Sequence, residues 1–362
     1  MIRRRLLEFD YLLVLLALAL SVVGLVGIYS ATTHGADSGL FRRQVIWLAL
    51  GLGACLVVSL LDYRFLADHA FMLYGAILLT LTGVLFFGTE VHGSKSWIRF
   101  GELGVQPSEM AKIVLVLALA RYVSELNQNL LRRKHLLILG AMTLGPAILV
   151  ILQGDSGTAL SFLPILLGVI FVAGLKQRFL IGVLVGVLCL APIGWFALRD
   201  YQKQRIMVVL DPALDPDGVG YQTRQSLIAI GSGGLTGKGL GQGLQSQLGF
   251  VPEIHTDFIF SLLAEEQGFI GGALTLVLYL LLLLRLQRIG ETARGRLGIL
   301  VVAGFTSLIC FHVFVNVGMT LGIMPAIGIP LPFLSYGGSS TLSSFIGLGL
   351  ALSVHSRRFV YS

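Results

Sequence analysis

The stretch PEIHTDFIFSLLAEEQGFIGG, residues 252–272, joins a polar segment rich in ionisable side chains to a long apolar run. Asp257 stands at the junction. The run beyond it is apolar enough to cross a bilayer, so Asp257 is expected at the water-facing mouth of a helix, near its positive N-terminal end. At about 1.5 Å per residue, a continuous helix carries Glu265 roughly 12 Å deeper, toward the middle of a hydrocarbon layer about 30 Å thick. An acid at that depth must face protein, pair or take up a proton. The stretch therefore predicts one solvated carboxylate suited to chemistry and two acids inside the membrane, Glu265 and Glu266, with an architectural part.

The composition supports a membrane reading. The chain is 55% hydrophobic and 12% charged, about half the charged fraction of a soluble domain, and its mean hydropathy is +0.86. The net charge of +7 does not indicate nucleic acid, because the basic residues are dispersed among short loops between apolar runs. Cys55, Cys189 and Cys310 each fall inside an apolar run, with no paired spacing that signals a disulfide framework or a metal site. The first run comes after Arg3, Arg4 and Arg5 and lacks a small-x-small cleavage site, which makes it an uncleaved anchor.

Ten runs are long enough to cross: 11–30, 45–61, 70–88, 108–124, 136–153, 158–174, 179–198, 257–284, 298–321 and 337–355. The predicted fold is an all-α polytopic membrane protein, one domain over residues 1–362, with about ten transmembrane helices and a large extracytoplasmic loop, 199–256, between spans seven and eight. Ten crossings put both termini on one side. That side carries 16 Lys and Arg, counting Arg121 at the end of the fourth run, against 4 in the short loops opposite, so the termini are expected in the cytoplasm. The loops 89–107, 199–256 and 322–336 then lie outside, and their Gly, Pro, aromatic and basic residues place the chemistry there. No internal repeat is visible, which counts against an inverted-repeat transporter.

Each candidate residue has a plain reading beside the chemical one. Asp257 can be a simple N-cap. With Glu253 and His255 it forms three titratable groups within five residues at an outer crevice, where a carboxylate can act as general base or bind a divalent cation. In QPSEMAK, Pro107 is placed to open a helix, and Glu109 and Lys112 share one face as an internal ion pair or a substrate contact. Asp155, in QGDSGTA, either caps the next helix or joins Lys112 in a polar network. Lys95, Arg99, Arg205, Arg224 and Lys238 are the outer cations available to an anionic ligand, although each alone reads equally as a solvated charge. Trp97 is an interface anchor or a stacking surface for a sugar ring. The glycine run 231–243 is no phosphate loop, since Ser232 and Gly239 stand where Gly and Ser or Thr are needed.

The run RIMVVLDPALDPDGVGYQTRQSLIAIGSGGLTGKGLGQG, continued by QSQLGFVPEIHTDFIFSLLAEEQG, resembles the signature of the SEDS family (shape, elongation, division and sporulation). GSKSWI, QPSEMAK and LPFLSYGGSS resemble its other landmarks, so the likeness covers the chain from about residue 90 onward and is nearer the elongation members than the division members. It implies a peptidoglycan glycosyltransferase that polymerises lipid II on the outer face of the bacterial cytoplasmic membrane, among membrane lipids. It also implies a partner, a class B penicillin-binding protein whose transpeptidase crosslinks the strands. Asp257 matches the family's essential acid in HTDFIF, and Trp97, Glu109, Lys112 and Asp155 fall in other family motifs. Where the family reads QPDLGTA, this chain has Gly154 and Ser156 around Asp155.

Such a reaction needs a sugar 4-hydroxyl to attack an anomeric carbon carrying a lipid pyrophosphate. A carboxylate in reach takes the hydroxyl proton. Arg or Lys groups, or a divalent cation such as Mg or Mn, can stabilise the departing pyrophosphate. Two rivals stand beside it: a flippase for a lipid-linked precursor, with Glu109, Lys112, Glu265 and Glu266 lining the route, and a non-enzymatic cell-wall scaffold.

Overall fold

The computed structural model describes residues 9–32, 39–91, 93–100, 103–126, 131–174, 200–211, 215 and 218–358. The predicted span 179–198 lies outside these residues. Long apolar runs become helices: α1 (Tyr11–Thr32), α2 (Gly39–Leu60), a short α3 (Tyr63–Asp68), α4 (Ala70–Phe87), α5 (Pro107–Ser124), α6 (Arg133–Leu152), and α7 (Ser156–Leu160) succeeded by α8 (Phe162–Val172). Then come α9 (Asp200–Leu210), α10 (Val219–Gly233), α11 (Leu244–Gln247), α12 (Ile259–Thr292), α13 (Arg296–Thr320) and α14 (Gly338–Ser356).

Six of these, α1, α2, α4, α6, α12 and α13, are long and apolar enough to cross a membrane. The remaining predicted spans depart from that standard for physical reasons. α5 carries Glu109, Lys112 and Arg121, and α14 begins with a serine-rich turn. Both are almost wholly buried among other helices, so protein rather than lipid faces their polar groups. The sixth predicted span is divided at Ser161 into α7 and α8.

The expectation of an all-α chain is corrected in loop 89–107. β1 (Thr89–Val91), β2 (Ser94–Phe100) and β3 (Leu103–Val105) form an antiparallel sheet in the order β1-β2-β3. One half of β2 pairs with β1, Glu90 opposite Lys95, and the other half with β3, Arg99 opposite Gly104. The alternation of SKSWIRF, with Gly93 at positive φ ahead of it, suits a hairpin better than a span.

A second correction concerns α12, which is not continuous. Gly268 has φ 68° and ψ −165°, a conformation open essentially to glycine, and the helix breaks there. The glycine-rich segment after α10 fills the break: Lys238 N and Gly239 N donate to the carbonyls of Glu265 and Glu266, while Phe269 N and Ile270 N donate to those of Gly234 and Leu235. Residues 259–266 are buried, whereas Phe269, Leu274 and Leu280 beyond the break are more than half exposed. The lipid-facing part of α12 therefore starts after Gly268. Glu265 and Glu266 are enclosed by protein ahead of it, so the straight-helix depth of about 12 Å does not apply.

Between α13 and α14 the chain runs through the interior without regular structure, and each buried carbonyl along it needs a donor. Asn316 serves Ile329, His312 serves Pro330, Tyr279 serves Pro332, and Gln44 serves Ser335, at 2.7, 3.0, 2.7 and 3.4 Å. Close approach is permitted by Gly157, where a Cβ would come 2.0 Å from the Ile327 carbonyl oxygen. Away from this loop, Asp10 at the start of α1 pairs with Arg285 late in α12 at 2.8 Å and lies 3.9 Å from His355 near the end of α14. The first and last described helices thus have their chain ends together, at the end of the bundle opposite the head of α12.

Candidate active site

The Asp257 turn is wound around a single carbonyl. The Glu253 oxygen accepts from Thr256 N, Asp257 N and Phe258 N at 3.2, 3.1 and 3.3 Å. Glu253 itself sits at φ 52°, a left-handed conformation that a side chain other than glycine holds only under constraint. On the other side of the turn, Ser261 N bonds to Phe258 O, and the Asp257 carbonyl accepts instead from Asn316 Nδ2 at 2.8 Å. The backbone of Asp257 is thereby fixed from both directions. No N–H or O–H among the described residues donates to its carboxylate, so the plain N-cap reading does not describe it.

Desolvation in this turn pushes the Asp257 carboxyl up to about 7, with the charges of Glu253 and Asp155 adding to the rise and Arg205 opposing it. A group that ionises near neutrality is suited to accept a proton from a hydroxyl.

Asp155 meets the first of its two predicted descriptions, the helix cap, while its second oxygen is taken by Gln106 rather than by Lys112. Oδ1 caps α7 by accepting from Thr158 N at 2.9 Å, and Oδ2 accepts from Gln106 Nε2 at 2.7 Å, just ahead of α5. Burial raises its carboxyl, the Thr158 bonds lower it, and the charges of Glu109 and Lys112 act on it in opposite senses. Gly154 has φ +89°, which a proline cannot adopt, so the departure from the family pattern changes the turn itself. That turn is tied to β2 through Lys95 N, which donates to Gln153 O at 2.9 Å.

One turn into α5, Lys112 Nζ donates to Glu109 Oε1 at 2.7 Å, and both side chains are almost fully buried. Ser343 donates to the second Glu109 oxygen at 3.0 Å, and His312 Nε2 lies 3.4 Å from Lys112 Nζ. The pair is an internal one, closed off by α13 and α14. A small cavity of about 10 Å³ beside it has room for one water.

The remaining candidates divide into two groups. Lys95, Trp97 and Arg99 alternate along β2 and share one face, Lys95 and Arg99 exposed and Trp97 lying over Gly104. The His255 carbonyl accepts from Tyr336 N at 2.9 Å, and the imidazole stands edge-on to the Tyr336 ring. Arg205, on α9, acts on Asp257 through its charge. Arg224 is exposed on α10, and Lys238 pairs with Glu265 at 2.8 Å. Asn316 and His312 were not among the sequence candidates. Polar residues four apart in an apolar helix are a signal that was available.

Among the described residues, no three of His, Cys, Asp and Glu sit close enough together to share a metal ion. Both Asp155 oxygens are already engaged.

Fold and site together define a multi-span membrane protein with a desolvated acid, Asp257, in an irregular turn at one end of the bundle. The family model for the cell cycle proteins FtsW, RodA and SpoVE matches residues 9–359, and the chain belongs to that family, the one its motifs resemble. It is 41% identical over 359 residues to the peptidoglycan glycosyltransferase MrdB of Escherichia coli (strain K12), covering 98% of this chain and 95% of the relative. It is 34% identical to the peptidoglycan glycosyltransferase RodA of Treponema pallidum (strain Nichols), covering 97% and 98%. Among solved structures it is similar to a chain of a peptidoglycan synthase complex that coordinates polymerization and crosslinking, with TM-score 0.85, 36% identity and coverage of 97% and 98%. It is also similar to the rod shape determining protein RodA of Thermus thermophilus, with TM-score 0.73 and 36% identity over the same shares.

Proposed function

We propose that this chain polymerises lipid II into glycan strands with Asp257 as the general base. It is a peptidoglycan glycosyltransferase of the bacterial inner membrane that serves cell shape. The observation that carries the base assignment is a carboxylate that ionises near neutrality, has its backbone fixed on both sides and accepts no hydrogen bond from the described residues. The acceptor 4-hydroxyl approaches this carboxylate, which takes its proton as the oxygen attacks the anomeric carbon of the donor. Inversion results from attack opposite the departing pyrophosphate. Arg205, and Lys95 and Arg99 on the exposed face of β2, supply positive charge for that leaving group. Trp97 offers its ring to a sugar on the same face.

The short-loop charge count puts the termini in the cytoplasm and the Asp257 turn outside, where it can meet a substrate whose lipid tail stays in the bilayer. Residues 199–256 belong to that outer face. A class B penicillin-binding protein crosslinks the strands beside it. A divalent cation, Mg or Mn, fits here only as one held by Asp257 together with pyrophosphate oxygens, the usual manner for Mg; when bound it would neutralise charge on the leaving group.

The buried acids speak against a flippase, because Glu109 and Glu265 are each closed off by a lysine and further donors rather than aligned along an open route. The test is purified protein with labelled lipid II. Polymeric glycan is the expected product; transfer of lipid II between leaflets without polymer would establish the transporter instead.

A further inference from the structure

α13 is an apolar helix, and a polar side chain inside such a helix is retained only for a partner or a function. Asn316 has 0% exposure and uses both amide hydrogens, at 2.8 Å to the Asp257 carbonyl and 2.7 Å to the Ile329 carbonyl. The amide orientation is set by these partners, since the reverse would put Oδ1 against two carbonyl oxygens. Its Oδ1 has no partner among the described residues, so the side chain is held for its two donors. One of those donors joins the turn carrying the acid. The other joins the interior loop whose Gly328 lies beside the acid, a Cβ there coming 3.3 Å from Asp257 Oδ2.

We propose that Asn316 is a positioning residue for glycosyl transfer. By bonding the two carbonyls at once, it sets the Asp257 turn against the loop between α13 and α14 and holds the carboxylate at its working distance. Neither Asp nor Ala can do this: ionised Asp has no hydrogen to donate, and Ala has none at all. The proposal rests on the reading of Asp257 as the base.

Tyr279 provides the control. Its hydroxyl holds the Pro332 carbonyl of the same loop at 2.7 Å but makes no bond to the Asp257 turn. Purified Asn316→Ala, Asn316→Ser, Tyr279→Phe and Asp257→Asn are compared in lipid II polymerisation and thermal unfolding. Asn316→Ala should lower kcat by about thirty-fold with KM within about two-fold, as expected for a misplaced catalytic group. Tyr279→Phe should lose thermal stability and keep kcat within about two-fold. The proposal is overturned if Asn316→Ala keeps its kcat, if both loop variants lose kcat in parallel with stability, or if neither Asn316 variant accumulates folded while Tyr279→Phe does. Retained activity in Asp257→Asn would overturn the base assignment, and this proposal with it. Lost activity there with an unchanged kcat in Asn316→Ala overturns the positioning role alone.

Discussion

Two carboxylates at the head of α12, eight residues apart, have opposite surroundings. Glu265 is fully buried and saturated: Lys238 Nζ, Gln245 N and Ser246 N donate to it at 2.8, 3.0 and 3.0 Å. Asp257 has a secured backbone and a carboxylate that accepts no hydrogen bond from the described residues and is raised to about 7 by desolvation. A saturated acid gives rigidity and has no capacity left for a proton in transit. An acid whose backbone is held while its oxygens carry no hydrogen bond can bind, accept and release. The difference is the basis of the proposed division, architecture for Glu265 and chemistry for Asp257.

The largest effect expected from breaking this contrast is on the structural side, at the other saturated acid. Removing either member of the buried Glu109–Lys112 pair leaves a charge without its partner, at a cost of about 3–5 kcal/mol, whereas replacing both with apolar residues of similar size costs less. Thermal unfolding of the two singles and the double checks this, and simple additivity would show that the pair is not coupled. Glu265→Ala comes next, at about 2–3 kcal/mol, because Lys238 can turn to solvent while two backbone N–H groups of α11 lose their acceptor. Its polymerisation rate should fall only in step with the folded fraction.

A smaller effect, in pH dependence, sharpens the chemical side. The folded Asp257 carboxyl ionises at about 7, the unfolded one near about 4. Between these values the folded state holds the extra proton, so stability falls as pH rises through the window and the contribution is complete below it. Asp257→Asn should remove that slope and be the more stable protein above pH 7. Activity runs the other way, since the base works ionised: kcat/KM should rise about ten-fold per pH unit below 7 and level off above it. A wild-type stability curve parallel to that of Asp257→Asn would show that the carboxyl is not perturbed.

Much of this was legible in the sequence, for reasons that differ by residue. Six of the ten expected spans were readable as long apolar helices because apolar runs of about 20 residues have few alternatives. Glu109 and Lys112 were readable as a pair because three-residue spacing sets them on one helix face. The break in α12 was not, because Gly268 stands in an otherwise helical run and its φ of 68° depends on the distant segment that fills the gap. Nor was the fate of Lys238, whose partner lies 27 residues on in a fold that only tertiary contacts define. The sheet in loop 89–107 was concealed because β1 and β3, the partners of the seven-residue β2, have three residues each, too short for a period-two signal. Asp257 stood out by its place before the helix. Asn316 could be noticed as a polar residue in an apolar helix, but that it bonds the Asp257 carbonyl, 59 residues away, is a tertiary contact no local pattern reveals.

The central claim is that the carboxylate of Asp257 takes the proton during glycan polymerisation. The most direct measurement is the rate at which purified Asp257→Asn polymerises labelled lipid II, beside wild type, with folding checked by thermal unfolding and the divalent cation titrated in both. Asn preserves the shape and the backbone bonds of the turn but cannot accept a proton. The account predicts a folded protein with polymerisation lowered by about a hundred-fold or more at every cation concentration. A folded Asn variant that polymerises at near the wild-type rate would contradict it.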